Sequence, residues 1–518
     1  MNRSEMLTRA TSRRDPWDVV VVGGGATGAG VALDAAARGY SVLLLERGDF
    51  GSGTSSRSTK LVHGGVRYLR QGHVGLVLDA LRERGRLRRN APHVVHDLAF
   101  VLPCYSRLEP LYYGAGLVAY DLLAGRHLFG RSSIIRPRTV ARMLPTIQTR
   151  GLRGGVVYRD GQFDDARLLI HILMTAAEQG ATVLNHAPVT ALTRGPSGEV
   201  NGVVARDSET GEEFRAAARV VVNAAGPFCD EVRRMADPAT PRLVAASQGS
   251  HVVLDRSFLP TDSALLVPET PDGRVLFAIP WHGHTLIGTT DVPIPEAVPE
   301  PRPTVEEIDF ILETAGRYLA KPPRREDVLS TFAGVRPLVQ AGDGRTADLS
   351  RDHTIRTDAP GLLTITGGKW TTYRGMAEEC VDRAAKLADL PKRPCPTQEL
   401  RLHGHHDDAA SFGELAVYGS DAPAIQKLME GESGLADRLH PALPYRAAEV
   451  VWAARSEMAR TVADVLARRL RALFLNAAAA VAIAPRVAEL MARELKRDEA
   501  WAATQVREFG ELAKGYVL

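Results

Sequence analysis

Asp18-Val-Val-Val-Val-Gly-Gly-Gly-Ala-Thr-Gly-Ala-Gly30, closing on Glu46, decides the fold. Asp18 to Val22 is a short apolar run of β-branched residues and reads as a buried parallel strand. Gly23, Gly25 and Gly28 then stand at the G-x-G-x-x-G spacing. The first permits a tight turn, the second lets backbone approach a pyrophosphate, and the third lets the next helix pack closely on the strand. That helix is expected from Ala26 or Thr27 to about Arg38, with its free N–H groups and positive dipole end toward a diphosphate. Gly39 ends it. Ser41 to Leu45 is the second strand, and Glu46 at its tip is placed to accept ribose hydroxyls. Strand, helix, strand and terminal acid together mark an adenine dinucleotide site.

A hydroxyl-rich stretch, Gly51-Ser-Gly-Thr-Ser-Ser-Arg-Ser-Thr-Lys60, follows the acid and runs into Leu61-Val-His-Gly-Gly-Val-Arg-Tyr-Leu69. A simple nicotinamide dehydrogenase returns to βαβ units sooner. This loop suits an extended cofactor wrapped by backbone N–H and Ser/Thr groups.

The length, 518 residues, suits two to four structural units. A net charge of +3 is too small to argue for nucleic acid, and no nucleic-acid motif is present. Cys104, Cys229, Cys380 and Cys395 are scattered, as in a reducing compartment, and no His, Asp and Cys set has metal-ligand spacing. Met1 to Pro16 carries arginines without an apolar core and reads as a frayed terminus rather than a secretory signal. The chain has no run of about eighteen apolar residues, so any membrane contact is expected to be peripheral.

The inserted region from about 91 to 150 reads as strands or turns. A helix begins at Asp164-Asp165 and leads to a strand at Ala181 to Leu184. Antiparallel strands follow over Val189–Arg206 and Glu213–Val222. From about Pro241 strands alternate, with one at Ser250–Leu254 and a hairpin about His282-Gly283. A proline-rich linker precedes a helix at Val305–Leu319. The remainder is almost wholly helical. Met458, Val462, Val465, Leu466, Leu470 and Leu473 make an apolar stripe, with Arg460, Arg468, Arg469 and Arg471 largely off it.

The run from Val22 to Gly39 resembles the first signature of FAD-dependent glycerol-3-phosphate dehydrogenases, and Gly367-Gly-Lys-Trp-Thr-Thr-Tyr-Arg-Gly-Met-Ala377 resembles the second. Between them, Thr54 to Leu69, Val222-Asn-Ala-Ala-Gly-Pro227, Gly249-Ser-His-Val-Val253, Ile287-Gly-Thr-Thr-Asp291 and Gly334-Val-Arg-Pro-Leu338 resemble the same family, in its order. The resemblance implies an α/β fold like that of D-amino-acid oxidase: a Rossmann-like FAD domain with an antiparallel β-sheet substrate cap, here followed by an all-α C-terminal domain. The expected division is an oxidoreductase region at 17–395 and a helical domain at 396–518. FAD segments are expected at about 17–90, 151–240 and 328–390, and cap segments at about 91–150 and 241–327. The resemblance further implies FAD as cofactor, oxidation of sn-glycerol 3-phosphate by hydride transfer to flavin N5, dihydroxyacetone phosphate as product and a membrane quinone as acceptor. An oxidase giving hydrogen peroxide is the alternative. Residence on the cytoplasmic face of the cell membrane is expected, and a homodimer is compatible with it.

The matching blocks supply candidate residues. For FAD they are Gly23, Gly24, Gly25, Thr27, Gly28, Glu46, Thr54, Ser55, Ser56, Ser58, Lys60, Ala225, Gly226, Gly367, Gly368, Lys369 and Thr371. A phosphate dianion calls for guanidinium forks, so Arg67, Arg336 and Arg351 are candidates, with Lys369 and Tyr68 beside substrate and Tyr373 closing the pocket. As hydride leaves carbon 2, its hydroxyl loses a proton, and histidine is the natural acceptor. His251 is favoured, and His63 serves equally as a second base or as a brace for the FAD loop. Lys369 would sit where reduced flavin carries negative charge. Two basic segments, Arg82 to Arg89 and Met458 to Phe474, are candidate lipid contacts or solvated and packed helices.

Overall fold

The structure, a computed structural model, describes residues 1–66, 69, 72–270, 273–339 and 352–518. The strand Trp17–Val22 lies between Val42–Leu45 and Glu213–Asn223, all parallel. Leu362–Gly367 and Thr182–Leu184 extend the parallel set on its two sides. The valines and leucines of these strands are almost wholly buried, as a sheet covered on both faces requires. Helix Ala26–Ala37 starts where expected and packs on both Asp165–Glu178 and Tyr373–Leu387.

The second sheet is built on Val244–Asp255. It pairs antiparallel with Val328–Val339 on one side and with His284–Gly288 on the other. Leu276–Trp281, Ser263–Val267, Val95–Cys104 and Gly154–Phe163 continue it. Among the described strands of this second sheet, only the pairing of Ser263–Val267 with Val95–Cys104 is parallel.

Several expectations are corrected here. Val328–Val339 and Gly154–Phe163, assigned by sequence to the FAD segments, are cap strands, because their backbone hydrogen bonds go to Val244–Asp255 and Val95–Cys104. The region 91–150 contains a helix, Glu109–Ala124. Its apolar residues lie on both faces, so it shows no 3.6-residue alternation to read. The N-terminus is a helix, Arg3–Ser12, tied down by Arg3, whose guanidinium donates to Asp207 and to the Asn185 carbonyl.

Several arginines of the basic segments are turned inward, while Arg82 and Arg89 stay exposed. Arg84 is buried against Asp160 at 2.7 Å, Arg86 pairs with Glu83, and Arg88 lies 3.5 Å from Asp97. Met458 to Phe474 is no continuous helix. Met458 and Arg471 have φ of +56° and +65°, and a π-helical turn occupies Asp464–Arg469. The apolar stripe is buried as expected, but Arg468, Arg469 and Arg471 are buried with it. Arg468 and Arg469 both bind Asp49, which follows the second strand, and Arg471 donates to Asp165 at 3.1 Å. Asp49, His186 and Asp464 gather within 4.8 Å of one another. Guanidinium groups supply the positive charge there: burial opposes ionisation of Asp49, but Arg469 and Arg468 hold its carboxyl below the usual range. No helix among the described residues is long and apolar enough to cross a membrane.

The helical tail is also joined through His403, whose ring reaches Glu178 and, at 2.8 Å, Asp421. Burial disfavours its charged form, yet the two carboxylates outweigh that and raise its pKa from 6.5 to about 9.

Two predictions follow from these joints. Asp49→Asn leaves two buried arginines undercompensated and should destabilise the fold by about 3–5 kcal/mol, seen as a lower denaturant midpoint; an unchanged midpoint would remove the network's structural role. The contribution of His403 is fully present below about pH 6.5 and is lost as pH rises through about 9. The difference in melting temperature between wild type and His403→Gln should therefore shrink over that window.

Candidate active site

Two cavities meet at Thr54, Pro337, Gly368, Lys369 and Trp370. The smaller, about 530 Å³, lies at the N-terminus of helix Ala26–Ala37 and is the nucleotide cleft. Gly23, Gly25, Thr27, Glu46, Thr54, Ser55, Ala225, Gly226, Gly367, Gly368 and Lys369 line it, all foreseen from sequence. Gly24 and Gly28 stand behind it. A Cβ on Gly28 would lie 1.9 Å from the Gly23 carbonyl oxygen, so the turn and the helix can meet only at glycine. Glu46 accepts from the N–H of Gly24 at 2.6 Å and of Gly48 at 2.8 Å. Burial raises its pKa, and these two N–H groups oppose the rise. A carboxylate offers about four lone-pair sites, so it retains capacity for a ribose diol. Gly25 caps the helix without a side chain, leaving the dipole end open toward the cleft. These residues fit a dinucleotide.

Distant segments close around the cleft. Trp370 Nε1 donates to the Ser55 carbonyl at 2.8 Å, Ser55 Oγ accepts from the Ala26 N–H at 2.9 Å, and Thr54 Oγ1 donates to the Val335 carbonyl at 2.6 Å.

The larger cavity, about 840 Å³, lies between this junction and the cap sheet. His63, His251, Arg336 and Lys369 all line it, as do Ser58 and Thr371. His251 is buried and stacks on Phe332 with ring centroids 4.7 Å apart. Thr59 Oγ1 lies 3.0 Å from its Nε2, while its buried Nδ1 has no hydrogen-bond partner among the described residues. Burial, then the charges of Lys60 and Arg336, push its pKa well below the ordinary histidine value, so the free imidazole is neutral. Arg336 is held by Asp291 at 3.1 Å, by the Thr290 carbonyl and by Thr289 Oγ1. The His63 carbonyl accepts from Thr371 Oγ1.

Ser56 and Lys60 are corrections, for they line neither cavity. The chain turns at Lys60 with φ +64°, and its ammonium is wholly buried on Asp165 at 2.7 Å and the Ser56 carbonyl at 2.8 Å. Burial and Arg471 lower its pKa to about 7 against the pull of Asp165. Tyr373 belongs to the nucleotide side, where its ring packs against Gly30. Arg67, Tyr68 and Arg351 lie outside the described residues.

Sequence reading quoted two glycines without a role. A Cβ on Gly249 would lie 2.3 Å from the Arg336 guanidinium, and one on Gly288 would lie 2.2 Å from the His251 ring. Both clear space for the side chain beside them. Asp291 was likewise quoted in its block, but its hold on Arg336 depends on pairing that spacing does not reveal.

Comparisons with known proteins agree with this layout. A family profile described as FAD dependent oxidoreductase matches residues 18–383, and one described as the C-terminal domain of alpha-glycerophosphate oxidase matches 363–502. A mitochondrial glycerol-3-phosphate dehydrogenase of Arabidopsis thaliana is 43% identical, covering 95% of this chain and 85% of that one. The human mitochondrial glycerol-3-phosphate dehydrogenase is 40% identical, covering 93% of this chain and 71% of its own length. Among solved structures, a glycerol-3-phosphate dehydrogenase from Bacillus halodurans complexed with FAD superposes with a TM-score of 0.80 at 31% identity, covering 99% of this chain and 97% of that one.

Gly28→Ala is expected to weaken FAD retention by at least ~100-fold, since one displaced turn removes several backbone contacts to the diphosphate. The purified variant should be folded by circular dichroism yet colourless. A yellow, fully loaded protein would contradict the packing argument.

Proposed function

The chain belongs to the FAD-dependent glycerol-3-phosphate dehydrogenase family, and we propose that it oxidises sn-glycerol 3-phosphate to dihydroxyacetone phosphate and passes the electrons to a membrane quinone. The observation that carries this reading is the convergence of Arg336, His251 and Lys369 on one cavity that joins the FAD cleft.

FAD, when bound, supplies a two-electron acceptor for the hydride released from carbon 2. The chain's own groups do the rest. The Arg336 guanidinium binds the phosphate, and Asp291 keeps its fork oriented. His251 takes the proton of the carbon 2 hydroxyl. In the free protein burial, then the charges of Lys60 and Arg336, depress its basicity, and a bound dianion would offset the last of these. Lys369 lines both cavities, which supports a role in neutralising negative charge on the reduced cofactor. His63 borders the same cavity and braces the loop through its carbonyl.

Residence on the cytoplasmic face of the cell membrane completes the proposal. Four unpaired cysteines are in keeping with a reducing compartment, and a lipid-borne acceptor calls for a membrane surface. The deciding experiment is anaerobic stopped flow: substrate should bleach the bound flavin, and menaquinone should restore its colour faster than oxygen does. Oxygen uptake matched by peroxide, with no gain from menaquinone, would make the protein an oxidase instead.

Arg336→Ala should raise the KM for glycerol 3-phosphate ~10- to 100-fold with bound FAD unchanged. His251→Ala should slow flavin reduction at saturating substrate by ~100-fold or more, within the usual range for loss of a general base. An unaltered KM in the first variant, or an unaltered reduction rate in the second, would remove that residue from its role.

A further inference from the structure

The loop that wraps the cofactor cleft is rich in hydroxyl groups, and most of them have a holding task. Thr54 Oγ1 donates to the Val335 carbonyl, Ser55 Oγ accepts from the Ala26 N–H, and Ser58 Oγ donates to Asp165 at 2.7 Å. Thr59 differs. Its Oγ1 lies 3.0 Å from His251 Nε2, and that ring is its only hydrogen-bond partner among the described residues. Its neighbours in the chain are committed elsewhere. Ser58 donates from both its N–H and its hydroxyl to Asp165 Oδ2, and the Lys60 ammonium reaches the same oxygen at 2.7 Å. One carboxylate thus pins the residues on either side, and Thr59 is left to line the larger cavity together with His251.

The imidazole itself is closely walled. Phe332, paired opposite it in one neighbouring strand, covers a ring face at an interplanar angle of 11°. Gly288, paired opposite it in the other, lies so near that a Cβ there would fall 2.2 Å from Cδ2 and 2.8 Å from Nε2. Nδ1 is buried and has no hydrogen-bond partner among the described residues. Proton exchange with the cavity is therefore left to Nε2, where the Thr59 hydroxyl stands. His251 as a whole is 2% exposed, whereas Thr59 is half-buried. A threonine hydroxyl has one proton to donate and two lone pairs. With its proton directed at Nε2, it still accepts a hydrogen bond from an alcohol in the cavity.

We infer that Thr59 is a proton relay: the carbon 2 hydroxyl of the substrate passes its proton to Thr59 Oγ1 as Thr59 passes its own to His251 Nε2. The O–H bonds of substrate and threonine break. A new threonine O–H and an imidazolium N–H form, and the electron pair of the carbon 2 C–H bond leaves with the hydride for FAD. The threonine ends as it began. The relay deepens the reading of His251 as the base and rests on it.

The test is anaerobic flavin reduction by saturating glycerol 3-phosphate in the FAD-loaded full chain. Thr59→Val keeps the side-chain shape without the hydroxyl and should slow reduction at least ~10-fold, while Thr59→Ser should stay within ~3-fold of wild type. FAD content and the binding of inorganic phosphate, followed by flavin absorbance, should match wild type in both. The charges that face the ring are Lys60 from the loop and Arg336 from the adjacent strand. Lys60 titrates at about 7, so the pH profile is read above about pH 8, where it is largely neutral. There the wild-type rate should be level. Thr59→Val and His251→Ala should both rise about tenfold per pH unit as hydroxide takes over the proton. The double variant should be within ~3-fold of His251→Ala, since the two groups act as a unit. A wild-type rate in Thr59→Val, a slow rate with a level profile, or a Thr59→Ser as slow as Thr59→Val overturns the relay and leaves His251 as the base. If Thr59→Val does not fold, Thr59→Ala is read by the same profile. A wild-type rate in His251→Ala removes the base itself, and the relay with it.

Discussion

The register between Val244–Asp255 and Val328–Val339 is the constraint on which the site depends. Ser247 stands opposite Arg336, Gly249 opposite Gly334, and His251 opposite Phe332. Alternation puts all six on one face of the cap sheet. A slip of one residue would send the guanidinium and the imidazole to opposite sides. The glycine pair between them has its own function. Gly249 leaves room for the Arg336 fork, and a Cβ on Gly334 would lie 2.8 Å from the Arg57 carbonyl oxygen. The loop that wraps the cofactor can therefore lie directly on the cap sheet, which brings Thr59 to His251 and Thr54 to Val335. The cavity lined by Arg336 and His251 adjoins the nucleotide cleft where two strands are short of side chains at one level.

Behind that loop lies a buried electrostatic layer. Lys60 and Arg471 meet Asp165, Arg167 meets Glu457, and Arg468 and Arg469 meet Asp49. Each pair joins the helical tail or the cofactor loop to the dinucleotide layer. Buried pairs of this kind add little net stability relative to an apolar core, but breaking one strands a charge. Their effect is to make one docking of the tail far better than its neighbours. The tail in turn supplies Phe474, which packs edge-on against Phe332, the ring on which His251 stacks. The C-terminal domain thus helps set the orientation of an imidazole carried by the cap.

How far this was legible in the sequence differs by level. The dinucleotide unit was read almost to the residue, because strand, glycine turn, helix and acid are local and each element agrees with the next. Most of the cleft lining followed from the same blocks. Sheet membership was less accessible. Val328–Val339 carries blocks that touch the cofactor, and this suggested the FAD layer, whereas hydrogen bonding places it in the cap. Lys60 sits among cofactor residues in the sequence, yet a left-handed backbone turn sends its side chain the other way. The arginines of 468–471 looked solvated because Asp49 and Asp165, two of the acids they meet, lie hundreds of residues away. The helix Glu109–Ala124 was missed for the opposite reason: its outer face is as apolar as its inner one, and periodicity needs contrast.

The same physics links the two halves of the proposed reaction. A buried histidine beside an arginine and a lysine is a poor base, and in the free protein His251 is held well below the usual histidine range by burial and by those two charges. A substrate without a phosphate would leave this unchanged. A dianion on Arg336 would offset the guanidinium's part of this, so in the proposed reaction substrate binding raises the basicity of the imidazole while burial and Lys60 still hold it down. Lys60, already drawn toward neutrality with a pKa of about 7, adds less repulsion than a fully charged lysine would. In the proposed reaction the cap would favour phosphorylated alcohols by holding the anion on Arg336 and by easing one of the charges that depress His251.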